Sequence, residues 1–266
     1  MLSIEKKDRS RSKLYSRRAK YYKILHHLST RFRDIVWRQE AAWLANLKED
    51  FKVLDVCTGI GLSAIEYLKV WEYQGVTNAH ITGLDLNQEM LAVGRKEIAK
   101  RGLKDKIDMV LGDVTNLREE EKEKDMAYFA AETFDAVLCV CGIGGITEYK
   151  KAFQEMLRVV KDKGRVVIID LYKPLPGVHR FHAIQKLIWD KLVAPFLLYK
   201  FWGWTNPAGK MDEIKHTSFI DDNGKQWKFK IIENMVRQES FFNFFPLTTK
   251  VVVGEKIKDE GFNEDR

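Results

Sequence analysis

A chain of 266 residues is long enough for one large α/β domain with additions and a sizeable core. With 45% apolar and 31% charged residues its composition is neither that of a disordered chain nor that of an integral membrane protein. The formal charge of +7 is local: residues 1–20 carry Lys6, Lys7, Arg9, Arg11, Lys13, Arg17, Arg18 and Lys20 against Glu5 and Asp8, so the remainder is nearly neutral and a general nucleic-acid-binding surface is not expected.

This basic stretch reads either as a solvated helix end or as a contact for anionic lipid or another acidic partner. It has no apolar signal region, and three cysteines are too few for a disulfide framework, so a reducing cytoplasm is the expected location, with peripheral membrane association as its variant. From Lys13 to Leu47 helical spacing predicts two helices, one through Tyr21, Tyr22 and Leu25, the other carrying Ile35, Val36, Trp37, Ala41, Trp43 and Leu44. Residues 1–48 thus form an N-terminal helical segment. It packs on the main sheet or closes over a pocket, with Tyr22 the best candidate for the second role.

Lys52 to Ser63, KVLDVCTGIGLS, reads as a buried strand entering a glycine turn before a helix of about Ser63 to Gln74. Without a Cβ at Gly59 and Gly61, a nucleotide-like ligand can lie against the main chain at a helix N-terminus, although such turns also occur as plain α/β connections. His80 to Asp85 is a second strand tipped by a carboxylate, at the spacing where an acid accepts from ribose hydroxyls; Asn87 is better placed to cap the next helix. That helix runs from Gln88 to Arg101 and stops at Gly102. A third strand, Ile107 to Leu111, ends at Gly112-Asp113-Val114, where Asp113 either accepts from an adenine amino group or closes an Asx turn. The run Arg118 to Asp125 is a solvated face.

Phe134 to Val140 is a fourth strand, followed by Cys141-Gly142-Ile143-Gly144-Gly145; Glu148 to Val160 is a helix, Lys161 to Gly164 a turn and Arg165 to Leu171 a fifth strand. This alternation predicts a doubly wound, Rossmann-like α/β sheet. After Pro174 and Pro176 the aromatic stretch Val178 to Trp204 is interrupted by Asp190, Lys191, Pro195 and Lys200, so it is not a membrane span; it reads as a helical cap over an apolar pocket, an interfacial surface, or packing on the sheet. Lys228 to Val236 and Phe245 to Glu255, joined through Phe241 to Phe244, fit an antiparallel C-terminal hairpin, giving seven strands in all. The main domain spans 49–258, with the cap insert at about 174–226 and a polar tail at 259–266.

Assembled, the motifs VLDVCTGIG at Val53 to Gly61, GLDLNQEML at Gly83 to Leu91, GDV at Gly112 to Val114, FDAV at Phe134 to Val137 and MLRVVKDKGRVVIIDLYKP at Met156 to Pro174 resemble the class I S-adenosylmethionine-dependent methyltransferases, above all the ubiquinone and menaquinone C-methyltransferase type. The resemblance implies S-adenosylmethionine as cofactor. It implies Asp55, Gly59 and Gly61 at the methionine end, Asp85 on the ribose and Asp113 with Val114 on adenine, in a site that also includes Tyr22, Cys57, Thr58, Leu86, Met90, Gly112, Cys139 and Cys141. Trp37-Arg38 is similar to part of the family's N-terminal segment. Cys57 stands where the family usually has glycine, and the hydrophobic insert departs from the quinone enzymes, so the acceptor is left open.

Methyl transfer needs alignment and a dry pocket, and a carbon or oxygen acceptor adds a need for a base, for which His26, His179 and His182 are candidates. Cys57, Cys139 and Cys141 are expected near one set of strand ends, as small packing residues or as a soft-metal site; their spacing fits no zinc pattern, and no metal is expected. The absence of an Asn-Pro-Pro-Tyr type motif disfavours nucleic-acid modification, and two glycines where G-x-G-x-x-G needs three disfavour a nicotinamide dehydrogenase. The expected activity is methyl transfer to a small or lipid-like hydrophobic acceptor, a quinol ring carbon first, a phospholipid amine or small thiol next. A non-catalytic interaction module is the remaining alternative.

Overall fold

The computed structural model describes residues 12–118, 125–172, 191, 207–214, 217–220, 225–239 and 247–258. Residues 12–18 are helical (α1) and lead through a short 3-10 turn, Ala19–Tyr21, into α2, Tyr22–Ser29, and then α3, Arg33–Ala45. The corner between α2 and α3 is made by Arg31 and Phe32, both left-handed at φ 52° and 62°. The spacing predicts two helices here; the described segment has three, because the 3-10 turn Ala19–Tyr21 separates α1 from α2.

The sheet begins with β1, Lys52–Val56, followed by α4, Leu62–Tyr73; β2, His80–Asp85; α5, Gln88–Lys100; and β3, Ile107–Leu111. It continues with β4, Phe134–Val140; α6, Tyr149–Val159; and β5, Val160–Tyr172. After α7, Pro207–Ile214, come β6, Ser218–Ile220; β7, Gln226–Glu239; and β8, Leu247–Lys258. The spatial order is β3-β2-β1-β4-β5-β8-β7-β6. Strands β1 to β5 are parallel, and β8 joins β5 antiparallel with Val167 opposite Val253.

Both faces are covered, as a doubly wound sheet requires. Val53 joins a core with Trp37, Ala41, Tyr67 and Trp71 beneath α3 and α4, while Leu54 and Val56 join Phe153, Met156, Met211 and Ile214 beneath α6 and α7. One strand feeding two cores explains why its residues are apolar almost without alternation. Parallel strands place the C-terminal ends of β1, β2, β3 and β4 along one edge, where ligands bind in such sheets.

Two details correct the sequence expectation. The sheet has eight described strands, not seven: three-residue β6 adds itself to β7 within the stretch assigned to the cap, where α7 also lies. Lys161 to Gly164 does not precede the fifth strand but loops out of it: pairing jumps from Phe134 opposite Val160 to Ala136 opposite Arg165, with Lys163 at φ 58°. Gly164 is required there, since a Cβ would meet the Asp135 carbonyl oxygen at 2.8 Å. The aromatic stretch Val178 to Trp204, apart from Lys191, lies outside the described residues, as do Phe241 to Phe244 and the polar tail.

Candidate functional site

The turn after β1 is wound by three left-handed residues, Cys57 at φ 59°, Gly59 at 60° and Gly61 at 76°. Gly61 N–H donates to the Thr58 carbonyl at 2.9 Å, and Thr58 N–H to the Leu84 carbonyl at 3.0 Å, tying the turn to β2. Helix α5 approaches the turn closely because its Gly94 has no side chain: a Cβ there would lie 3.0 Å from the backbone carbon of Ile60 and 2.6 Å from Met109 Cε.

Two carboxylates flank this turn. Asp55 is buried on β1 and accepts from Thr58 Oγ1 at 2.5 Å and Tyr67 hydroxyl at 3.2 Å; burial pushes its carboxyl up to about 7. Asp85, half-buried at the tip of β2, accepts from the N–H groups of Gly59 at 2.8 Å and Asn87 at 2.9 Å, and burial raises its carboxyl too. A carboxylate has about four acceptor positions, so Asp85 can accept further hydroxyls while it holds both loops.

Beyond Asp85, Leu86 is 44% exposed and Met90 is buried. Asn87 caps α5 by accepting from Met90 N–H at 2.9 Å, as its sequence position suggests. Gly112 is fixed by crowding, since a Cβ would clash with Leu84 Cδ1. One oxygen of Asp113 accepts from both Thr115 N–H and Thr115 Oγ1 at 2.8 Å, the Asx turn that the sequence allows; Val114 is buried behind it.

The N-terminal segment closes over the same edge. Asn87 Nδ2 donates to the Ser12 carbonyl at 2.9 Å and Ser16 Oγ at 3.0 Å, holding α1 on the β2–α5 loop. Ala19, Tyr15 and Tyr22 pack with Ile60, Leu62 and Met90, over the glycine turn. The phenol of Tyr22 is raised well above its ordinary value, first by burial, and it senses the charges of Tyr15, Arg38, Cys141 and Asp85. Tyr22 therefore sits where the ends of β1, β2 and β4 converge.

Arg38 is buried on α3. It donates through Nε to Ser63 Oγ at 3.1 Å and through Nη1 to Asp34. Its positive charge is felt at Asp55, Tyr22 and Cys141. Asp34 also accepts from Thr30 Oγ1 at 2.7 Å and faces Nδ1 of His26 at 3.1 Å and of His27 at 2.8 Å. These partners hold its carboxyl far below the carboxylate range despite burial. The candidate base His26 is only 1% exposed, and burial lowers its imidazole to about 4, so the geometry makes it a member of the Asp34 cluster. His179 and His182 lie outside the described residues.

At the end of β4, Cys139 and Cys57 are in contact: their mutual hydrogen bond, and then burial, raise the Cys139 thiol well above its ordinary value. Burial does the same for Cys141, which has φ 58°. Among the described residues no group of three or more His, Cys, Asp or Glu side chains could hold a metal ion. A Cβ on Gly142 would lie 2.8 Å from both Cys139 Sγ and Cys57 Cβ. The turn Ile143–Gly145 is then held from two sides. Buried Asp170 accepts from Gly144 N–H at 3.0 Å, and Lys210 Nζ on α7 donates to the carbonyls of Ile143, Gly144 and Ile146 at 3.2, 3.1 and 2.5 Å. Tyr172 hydroxyl donates to Asp212 Oδ2 at 2.9 Å, and Lys250 pairs with the other oxygen of Asp212.

The structure thus gathers Tyr22, Asp55, Cys57, Thr58, Gly59, Gly61, Asp85, Met90, Cys139 and Cys141 around one sheet edge, with the Gly112–Val114 corner beside Leu84. Asp34, Asp170 and Lys210 were not singled out as site residues in the sequence, and Arg38 only as part of the Trp37-Arg38 pair.

A doubly wound sheet with a glycine turn after β1 and an acid at the tip of β2 is an architecture that takes nucleotide-like cofactors at this edge. The chain has that fold in common with an S-adenosyl-L-methionine-dependent methyltransferase, provisionally assigned, from Methanococcus maripaludis: TM-score 0.56 at 16% identity, covering 92% of this chain and 95% of the other. The [4+2]-cyclase SpnF is similar at TM-score 0.55 and 15% identity over 84% and 80% of the two chains, which shows that the fold alone does not give the reaction. The chain belongs to the ubiE/COQ5 methyltransferase family, whose profile matches residues 4–198. It is 31% identical to the demethylmenaquinone methyltransferase of Desulfitobacterium hafniense, over 78% of this chain and 74% of that one. It is 32% identical to the demethylmenaquinone methyltransferase of Bacteroides fragilis, over 72% and 71%. The protein is an S-adenosylmethionine-dependent methyltransferase.

Proposed function

We propose that the acceptor is a ring carbon of a quinol bearing a hydrophobic tail. The observation that carries this reading is the membership of the ubiE/COQ5 family joined to the placement of Tyr22, Asp55 and Asp85 about the glycine turn after β1. The relatives named above are demethylmenaquinone methyltransferases.

The residues present fit the cofactor. The bare backbone at Gly59 and Gly61 offers close approach, Asp85 retains acceptor positions for two ribose hydroxyls, and the Gly112–Val114 corner with Leu86 and Met90 provides an edge for adenine. Asp55, Cys57, Thr58, Cys139 and Cys141 surround the methionine end, and Arg38 adds positive potential for its carboxylate. S-adenosylmethionine supplies an electrophilic methyl group on a sulfonium.

What the chain supplies is alignment and dryness. Alignment of two reactants can lower a barrier by about 7–11 kcal/mol in favourable cases. The turn at Ile143–Gly145, braced by Asp170 and Lys210 after the end of β4, is the rigid element beside which an acceptor would be set. The N-terminal segment covers the glycine turn from above, with Tyr22 inward. A tailed quinol also implies contact with a bilayer surface, through the basic N-terminus and the aromatic stretch Val178 to Trp204. Among the described residues no helix is long and apolar enough to cross a membrane.

The test is incubation with labelled S-adenosylmethionine and, in separate reactions, demethylmenaquinol, phosphatidylethanolamine and a small thiol. Label in a ring methyl of the quinol is expected. Transfer to the amine or the thiol alone would replace the quinol reading.

A further inference from the structure

Residues 9–33 contain nine Lys or Arg and no Asp or Glu. Within them, Tyr21, Ile24 and Leu28 recur at intervals of three and four, which puts them on one face of α2 and the turn before it. They are 65%, 61% and 61% exposed, and Phe32 at the following corner is 55% exposed with its ring stacked on His27 at 5.5 Å. Lys20, Lys23 and Arg31 are exposed alongside. The opposite side is already committed to the protein: Ala19 and His26 are buried, and Tyr22 and Leu25 pack on the core. A helix that has one apolar face buried and presents a second, rimmed by cations, is built for two surroundings at once.

We infer that this second face of α2 docks on an anionic lipid bilayer, with Tyr21, Ile24 and Leu28 entering the boundary between headgroups and acyl chains while Lys20, Lys23 and Arg31 meet lipid phosphates. Charge selects this occupant. A second copy of the chain, docked face to face, would bring two acid-free segments together. Nucleic acid would use the cations but leave the aliphatic stripe in water. The inference deepens the bilayer contact of the preceding reading and assigns it to particular residues, while its test uses no methyl acceptor, so the quinol assignment can fail without it and the reverse.

The experiment is flotation of the full chain with vesicles of phosphatidylcholine containing about 30% phosphatidylglycerol, an anionic content sufficient for a surface potential. The wild type is expected to float, and binding should weaken at least about tenfold on pure phosphatidylcholine and in about 0.5 M salt. Ile24→Ser/Leu28→Ser and Lys20→Glu/Lys23→Glu, all at exposed positions, should retain the wild-type circular dichroism and melting curve and each lose about tenfold or more in vesicle binding. As a second measurement, the fluorescence of Tyr21→Trp, read against that of the unsubstituted chain, should be quenched by lipids brominated on the acyl chain. Flotation of either double variant equal to that of the wild type, or no flotation of the wild type, overturns the inference. So does a concentration-dependent dimer that Ile24→Ser/Leu28→Ser dissolves, which would assign the face to a second copy.

Discussion

The guanidinium of Arg38 pairs with the carboxylate of Asp34 one helical turn before it on α3, with both side chains out of water and Ser63 of α4 taking the guanidinium's other side. Through Ser63 the guanidinium ties α3 to α4, the helix that follows the glycine turn. Removing one member of a buried pair costs about 3–5 kcal/mol, because the other charge is left unanswered.

Arg38→Met should therefore lower stability by about that amount and weaken S-adenosylmethionine binding, whereas adding Asp34→Asn to it should restore most of the stability but not the binding. Chemical denaturation and calorimetry on the two variants separate these outcomes. Equal affinity in Arg38→Met and wild type would remove Arg38 from the cofactor site.

Asp85→Ala should reduce affinity for S-adenosylmethionine about ten- to a hundredfold, the loss of one or two hydrogen bonds to a charged acceptor. It also frees the N–H groups of Gly59 and Asn87, so amide exchange at both should quicken. Calorimetry at matched temperature reads the first effect, exchange the second.

Gly94→Ala runs against intuition. Alanine is the better helix former by about 1 kcal/mol, yet here its methyl would press on Ile60 backbone and Met109. Overpacking of this kind costs about 1–3 kcal/mol. A net loss of stability is expected, with weaker cofactor binding because Ile60 belongs to the glycine turn, measured by melting with and without S-adenosylmethionine.

Stability should fall on acidification through the His26 window. Its native value is lowered to about 4 from an ordinary 6.5, so the unfolded chain takes up the proton first. The contribution is complete above about pH 6.5 and is lost as pH falls through about 4, roughly 3 kcal/mol over that interval. Asp55 and Asp170, raised by burial to about 7 and about 6, slope the other way. The His26 effect is therefore read as the difference between wild type and His26→Asn, with the variant gaining on the wild type as pH drops.

Lys210→Met should leave the carbonyls of Ile143, Gly144 and Ile146 without their shared donor. The expected result is a loss of about 2–3 kcal/mol of stability and slower methyl transfer with cofactor affinity nearly kept. Denaturation, calorimetry and single-turnover transfer distinguish this from a general loss of fold.

The parts of the site legible in the sequence are those whose spacing is local. Gly59, Gly61 and Asp85 belong to one strand-turn-helix-strand unit, and the contact between Asp85 and Gly59 spans only 26 residues. Lys210 meets Gly144 across 66 residues, from a helix inside a stretch that the sequence marks only as aromatic insert. Nothing in the periodicity around either residue announces the other. Asp34 is hidden differently: in an isolated helix an acid four residues before an arginine reads as an exposed pair, and only packing against α2 and α4 makes it buried. The loop at Lys161 to Gly164 was recognised for its residues and misplaced by its neighbours, because Val160 had already paired with Phe134.

Strand β8 is the last described strand in sequence and lies between β5 and β7 in space. A nascent chain that has emerged only as far as Tyr172 therefore carries a sheet with an open β5 edge, rich in Val and Ile, that no earlier segment can cover. Such an edge is a template for pairing with other chains. Closing it requires contacts between Val167 and Val253, 86 residues apart, and loop closure of that length precedes any gain from pairing. Completion of the sheet thus waits on β8: a stop before Leu247 would remove an interior strand and leave the β5 edge open to pairing with other chains.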